Sequence, residues 1–174
     1  MKHIKSVYVP IWEEKSRLKD PRFWHMKAWH FSSTTHFIIQ EFSKIKDGTP
    51  ISEYGHLFNA INTTPYITAV ASELFMKGYL IHKGITAEKL RGRDIGHNLK
   101  KLREMCCNFK DDKFLNQDLV FLTNKLGEQL TNDGGIRYPD VNPMAIYFEV
   151  FENALNVLQK IASEVDEELS NKKG

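Results

Sequence analysis

Apolar residues recur at helical spacing over most of this chain. Set at about 100° per residue, Trp24, Ala28, Phe31, Thr35, Ile38, Ile39, Phe42 and Ile45 share one broad face. They predict a first helix from about Pro21 to Ile45, with Asp20 as its cap and Pro21 in its first turn. The turn-rich run Lys46-Asp47-Gly48-Thr49-Pro50 ends it. Ile51 to Asn62 shows no clear period and is assigned a short helix at most. Thr64-Pro65, a polar residue followed by proline, predicts the start of a second long helix reaching Lys83-Gly84. Ile67, Val70, Ala71, Leu74, Gly78 and Ile81 form its inward stripe, and the small Ala71 and Gly78 let another helix come close.

Thr86 to Arg91 reads as a short helix or single turn. Gly96-His97-Asn98 leads into a third helix to about Phe109, with Leu99, Leu102, Cys106 and Phe109 on its apolar side. Asp111-Asp112 is expected to open a fourth helix, since acids suit the positive end. There Leu115, Leu119, Leu122, Leu126 and Leu130 recur at steps of four, three, four and four. Asn142-Pro143 caps a last helix to about Ser170, with Val150, Phe151, Ala154, Leu155, Leu158, Ile161, Ala162, Val165 and Leu169 inward. About five amphipathic helices with short connections predict an all-α, antiparallel up-and-down bundle. Strand-like sequence is confined to Ser6–Trp12, which Pro10 interrupts, so a short extended arm is expected over residues 1–20. Nothing divides the chain, and one domain over residues 1–174 is expected.

Composition adds boundaries to this picture. With 174 residues, a hydrophobic core needs no disulfide or metal staple. A net charge of +2 is too small to argue by itself for a nucleic-acid or membrane partner. The two cysteines, Cys106 and Cys107, are adjacent, which suits neither a usual disulfide nor a zinc site. Reduced thiols point to the cytoplasm, and Cys106 reads as a small core hydrophobe. Met1–Pro10 lacks the apolar core of a signal peptide, and no stretch approaches the roughly 18 apolar residues of a membrane span. A soluble, cytoplasmic protein is expected.

Four constellations can carry chemistry. Glu73 and Lys77 sit four apart on the second helix, in the favourable order for an ion pair. They are either a structural pair or the border of a polar groove. His97 precedes the third helix, with Arg91 and Arg93 upstream. Residues 83–113 hold nine Lys/Arg against five Asp/Glu, whereas residues 141–174 hold three against six. That asymmetry fits an anion-attracting face, and equally charge complementarity between packed helices. Arg137 and Tyr138, with Pro139 and Asp140, occupy a loop between two long helices, where they bind a phosphate or base or anchor the loop. His25, Trp29 and His36 fall opposite the core stripe of the first helix and mark a candidate subunit contact, unless another segment covers them. These histidines have no third ligand near them in sequence, so no zinc site is expected. Phosphate loops, dinucleotide fingerprints, nucleophile elbows and His-Glu-x-x-His are all absent from the sequence, and no cofactor is expected.

Ala71-Ser72-Glu73-Leu74-x-x-Lys77, then Gly84, then Gly96-His97-Asn98-Leu99-x-x-Leu102, then Arg137-Tyr138-Pro139 resembles the HEPN family over about residues 64–160. The resemblance implies a helical bundle whose core spans residues 64–170. Residues 1–60 are not explained by it. Many members of the family are metal-independent RNases of toxin–antitoxin and defence systems, whose signature is Arg, four to six residues, then His at the start of the last helix. Here no histidine follows His97. Arg91 and His97 have five residues between them, but before the third helix, and Asn98 replaces the usual aspartate. Other members are non-catalytic modules, often homodimers, that bind a nucleotide or pair with a nucleotidyltransferase. The chain resembles that group more closely. By resemblance, Glu73, Lys77, His97, Arg137 and Tyr138 are its ligand-binding positions, with a nucleotide, RNA or protein as the partner. The alternatives are an RNase using Arg91 and His97, and a purely structural dimerising bundle.

Overall fold

The structure is a computed structural model that describes residues 16–46, 48–92, 94–131 and 148–172. Six α-helices run through them: α1 Pro21–Ser43, α2 Ile51–His82, α3 Ala87–Leu90, α4 Leu99–Cys107, α5 Gln117–Thr131 and α6 Phe148–Asn171. A 3-10 turn, Asp112–Leu115, joins α4 to α5, and the described residues contain no strand. The chain is an all-α bundle, as its periodicity predicts. The arm expected over residues 1–20 lies, up to residue 15, outside the described residues, as do Arg137, Tyr138 and the Asn142-Pro143 cap.

Local chemistry sets the helix ends. Asp20 caps α1 by accepting a hydrogen bond from the backbone N–H of Arg22 at 3.0 Å, and Pro21 opens the first turn. Asn98 caps α4 through Lys101 N–H at 2.9 Å. Gly84, at φ +87°, follows α2 in the left-handed region that a side chain disfavours.

Three expectations are corrected. First, Thr64-Pro65 does not start a helix. α2 begins at Ile51, has non-helical backbone angles at Tyr54 (φ −129°, ψ 20°) and continues through Pro65. An interior proline costs about 3 kcal/mol through its missing N–H and its ring clash. Packing overrides it, because Ile61, Thr64, Pro65 and Thr68 are all buried. Second, Asp111 caps only the 3-10 turn, through Lys113 N–H at 3.2 Å. Asn116 is the cap of α5, accepting from Asp118 and Leu119 N–H at 3.0 and 3.1 Å. Leu115, one residue before that cap, leaves the leucine stripe and is 57% exposed. Third, His25, Trp29 and His36 do not lie on an outer face. His25 is fully buried, Trp29 packs edge-on against Phe75 at 5.8 Å, and His36 is half-buried beside α6.

α2 is the central helix. It packs on α1 more extensively than any other pair does, and it also meets α4, α5 and α6. From Thr68 to Ile81 nearly every residue is buried, including Ser72, Glu73 and Lys77. Around it Phe75, Leu80, Leu90, Leu99, Leu102, Phe114, Leu122 and Leu155 form a continuous core. Cys106 is a core residue, with Sγ 3.9 Å from the Met76 carbonyl. No helix among the described residues is long and apolar enough to cross a membrane.

Candidate functional site

The turn that carries His97 is tightly wound. Gly92 N–H donates to Lys89 O at 3.2 Å, and Gly96 N–H to Gly92 O at 2.8 Å. A Cβ on Gly96 would lie 3.3 Å from Gly92 O, so glycine permits this closeness. Asn98 N–H donates to Ile95 O at 3.0 Å and α4 begins. The winding sets His97 against α2, with its Nδ1 3.0 Å from Glu73 Oε2.

Glu73 uses both oxygens. Its Oε1 accepts from Lys77 Nζ at 2.6 Å, one helical turn along α2. Lys77 and Glu73 side chains are only 5% and 10% exposed, whereas that of His97 is 80% exposed. The ammonium also lies 5.8 Å from the centroid of the Trp24 ring on α1. The cluster therefore has a buried ionic base and an exposed imidazole. A carboxylate accepts, so the Nδ1 contact places a proton on Nδ1 and turns Nε2 to solvent. Lys77 directs one of its three N–H donors to Glu73.

In the segments flanking His97, Lys89, Arg91, Lys100 and Lys101 are exposed, as are Glu88, Asp94 and Glu104, and none of the four cations pairs with a carboxylate among the described residues. The first turn of α4 contains no acid, and Lys100 and Lys101 stand there beside the positive helix end. Positive charge at that end is locally unfavourable, and an anion relieves it. Elsewhere the basic excess is absorbed across helices, as where Lys113 pairs with Glu164 of α6.

Of the five expected ligand positions, the structure brings together Glu73, Lys77 and His97, while Arg137 and Tyr138 lie outside the described residues. Arg91 ends α3 in the same wound turn as His97. Sequence reasoning missed the Glu73–His97 bond, which joins residues 24 apart; a glutamate inside an apolar stripe was the available signal. It also missed a buried guanidinium: Arg103 donates from Nε to Thr123 Oγ1 at 3.1 Å and from an Nη to the Phe114 carbonyl at 3.4 Å. Burial pushes the Cys106 thiol and the Tyr79 hydroxyl upward from their ordinary pKa values. Among the described residues, no group of three His, Cys, Asp or Glu side chains could hold a metal ion. No family model, curated protein or solved structure matches this chain, so the likeness to HEPN domains rests on the residues quoted above.

Proposed function

We propose that the protein is a non-catalytic, HEPN-like binding module that takes a phosphate-bearing ligand, a nucleotide or an RNA, on the face around His97. The supporting observation is the exposed imidazole held by buried Glu73, at a helix start that carries Lys100 and Lys101 and no acid. Lys89 and Arg91 extend the same charge. In this reading Glu73 and Lys77 position His97, and Arg137 and Tyr138 are further contacts carried over from the resemblance. The resemblance also motivates a homodimer, a nucleotidyltransferase-like partner and a toxin–antitoxin or defence setting. Calorimetry with ATP and with a short single-stranded RNA tests the reading. Binding that weakens with salt, and weakens further in Lys100→Glu with Lys101→Glu, is expected. Absence of heat and of thermal shift with millimolar ATP and with the RNA would refute it.

One observation favours a second reading. Glu73 fixes the imidazole with Nε2 outward, as a general base requires, and Arg91 stands in the same turn. An RNase of this kind cleaves in EDTA and loses activity in His97→Ala with the fold intact; cleavage that persists in that variant would remove His97 from the chemistry.

A further inference from the structure

Three histidines converge on the acidic side of α6. From α1, His25 Nδ1 lies 2.9 Å from Asp166 Oδ1, and His36 Nδ1 lies 3.5 Å from Glu152 Oε1. From α2, His82 Nε2 lies 3.1 Å from Glu168 Oε2. Between the two α1 histidines, Gln159 Nε2 donates to Ser32 Oγ at 2.6 Å and approaches His36 Nε2 at 3.4 Å. The contacts His25–Asp166 and Ser32–Gln159 step by seven residues on each helix in opposite directions. α1 and α6 are thus joined along an antiparallel polar seam, beside the apolar packing on α2.

Within the seam, the surroundings of His25 accommodate one ring N–H. His25 is fully buried, its Nδ1–H serves Asp166, and its Nε2 is buried with no hydrogen-bond partner among the described residues. The Nε2 edge of the ring lies over Gly78 of α2, so close that a Cβ there would stand 2.4 Å from Nε2. A second N–H on this ring would find no acceptor among the described residues. At His36, the approach of the Gln159 amide likewise uses Nε2 as an acceptor. The charged and titratable groups around His25 are Asp20 and Arg22 at the start of α1, His82 on α2, and Asp166 on α6. Asp166 and Asp20 favour the imidazolium, while burial and His82 oppose it.

We propose that the contact of α1 with α2 at His25 is an acid-sensitive latch: proton uptake at the buried Nε2 edge pushes the start of α1 off α2 at Gly78, with Asp166 still held, while the α4–α5 core stays folded. The proposal does not rest on a ligand at His97. Burial dominates the four influences and holds His25 below its ordinary pKa. The folded protein thus binds fewer protons than the unfolded chain just below the ordinary histidine value of about 6.5, and the packing of α1 on α2 loses stability as pH falls through that value.

Hydrogen exchange read by mass spectrometry on the full chain from pH 7.5 to 5, corrected for intrinsic rates, tests this. Protection of residues 22–32 is expected to fall about tenfold per pH unit below about pH 6.5, the limit for one linked proton. Residues 99–107 and 119–126 should keep theirs. In His25→Gln, whose amide can still donate to Asp166, the acid-dependent loss should vanish. Equal loss in all helices, or an unchanged pH dependence in a folded His25→Gln, would overturn the latch. Should His25→Gln fail to fold, the NMR titration of the wild-type His25 ring decides. A midpoint below the ordinary value supports the proposal, and one at or above it overturns it.

Discussion

Gly78→Ala sets local propensity against packing. Gly78 lies inside α2, where alanine is favoured over glycine by about 0.8–1.0 kcal/mol. Propensity alone therefore predicts a more stable protein. The added methyl, however, would lie 2.3 Å from His25 Cδ2, 2.4 Å from its Nε2 and 3.2 Å from the Pro21 carbonyl. The ring cannot swing away, because it is fully buried and tied to Asp166, and Pro21 belongs to the backbone of α1. The whole start of α1 must move outward. Overpacking of a well-filled core costs about 1–3 kcal/mol, occasionally more, and contacts this short place the cost at the upper end. Subtracting the propensity gain leaves a net destabilisation of about 2 kcal/mol, or a melting temperature lower by about 4–8 °C at this chain length. Urea denaturation followed by circular dichroism reads the change as a lower midpoint at constant slope. A double-mutant cycle with His25→Ala should show strong coupling, since the smaller side chain makes room for the methyl. A Gly78→Ala protein as stable as wild type, or more so, would refute the close approach of α1 and α2 at this point.

Glu73→Ala should destabilise by about 3–5 kcal/mol, because it strands the Lys77 ammonium in a buried site; an exposed pair would lose only about 0.3–0.5. Chemical denaturation separates the two values, and a loss below about 1 kcal/mol would mean that water reaches the pair. Asn98→Ala removes the α4 cap and should cost about 1 kcal/mol, with Asn98→Asp restoring it in the same assay. Leu122→Ala, at a fully buried position of α5, should cost about 2–5 kcal/mol. With iodoacetamide under native conditions, half-buried Cys107 should label well before Cys106, whose thiol is buried and shifted upward; peptide mass spectrometry distinguishes the neighbours, and preferential labelling of Cys106 would contradict the orientation of α4.

Where a helix buries one stripe, its sequence pattern announced it. The α5 leucines Leu119, Leu122 and Leu126 are fully buried, as are Ala154, Leu155 and Leu158 of α6 or nearly so. The pattern failed where burial is not one-sided. From Thr68 to Ile81 α2 is enclosed on nearly every side, so no polar face marks its period there, and the proline just upstream reads as a start. At Leu115 the spacing continued while the helix did not, because Asn116 satisfies the first N–H groups of α5. In the candidate site, the pairing of Glu73 with Lys77 was legible because it is local. The Glu73–His97 bond was not, since it depends on how the Gly92–Gly96 turn is folded.

The polar side of α1 illustrates a different ambiguity, with consequences for the site itself. His25, Ser32 and His36 look outward by polarity, yet they meet a helix that supplies Asp166, Gln159 and Glu152 as their complements. Polarity marks an outer face only where the neighbour is water. The same helix then links the seam to the candidate site through consecutive residues. Trp24 faces Lys77, and His25 faces Gly78. Any outward shift of α1 at Gly78 must also draw the Trp24 ring from the Lys77 ammonium, because the paired residues are adjacent on both helices. The ammonium would keep Glu73 as its partner but lose its aromatic cover, and the carboxylate that holds His97 would gain access to water. The docking of α1, a helix the family resemblance leaves unexplained, is therefore part of what holds the imidazole in place.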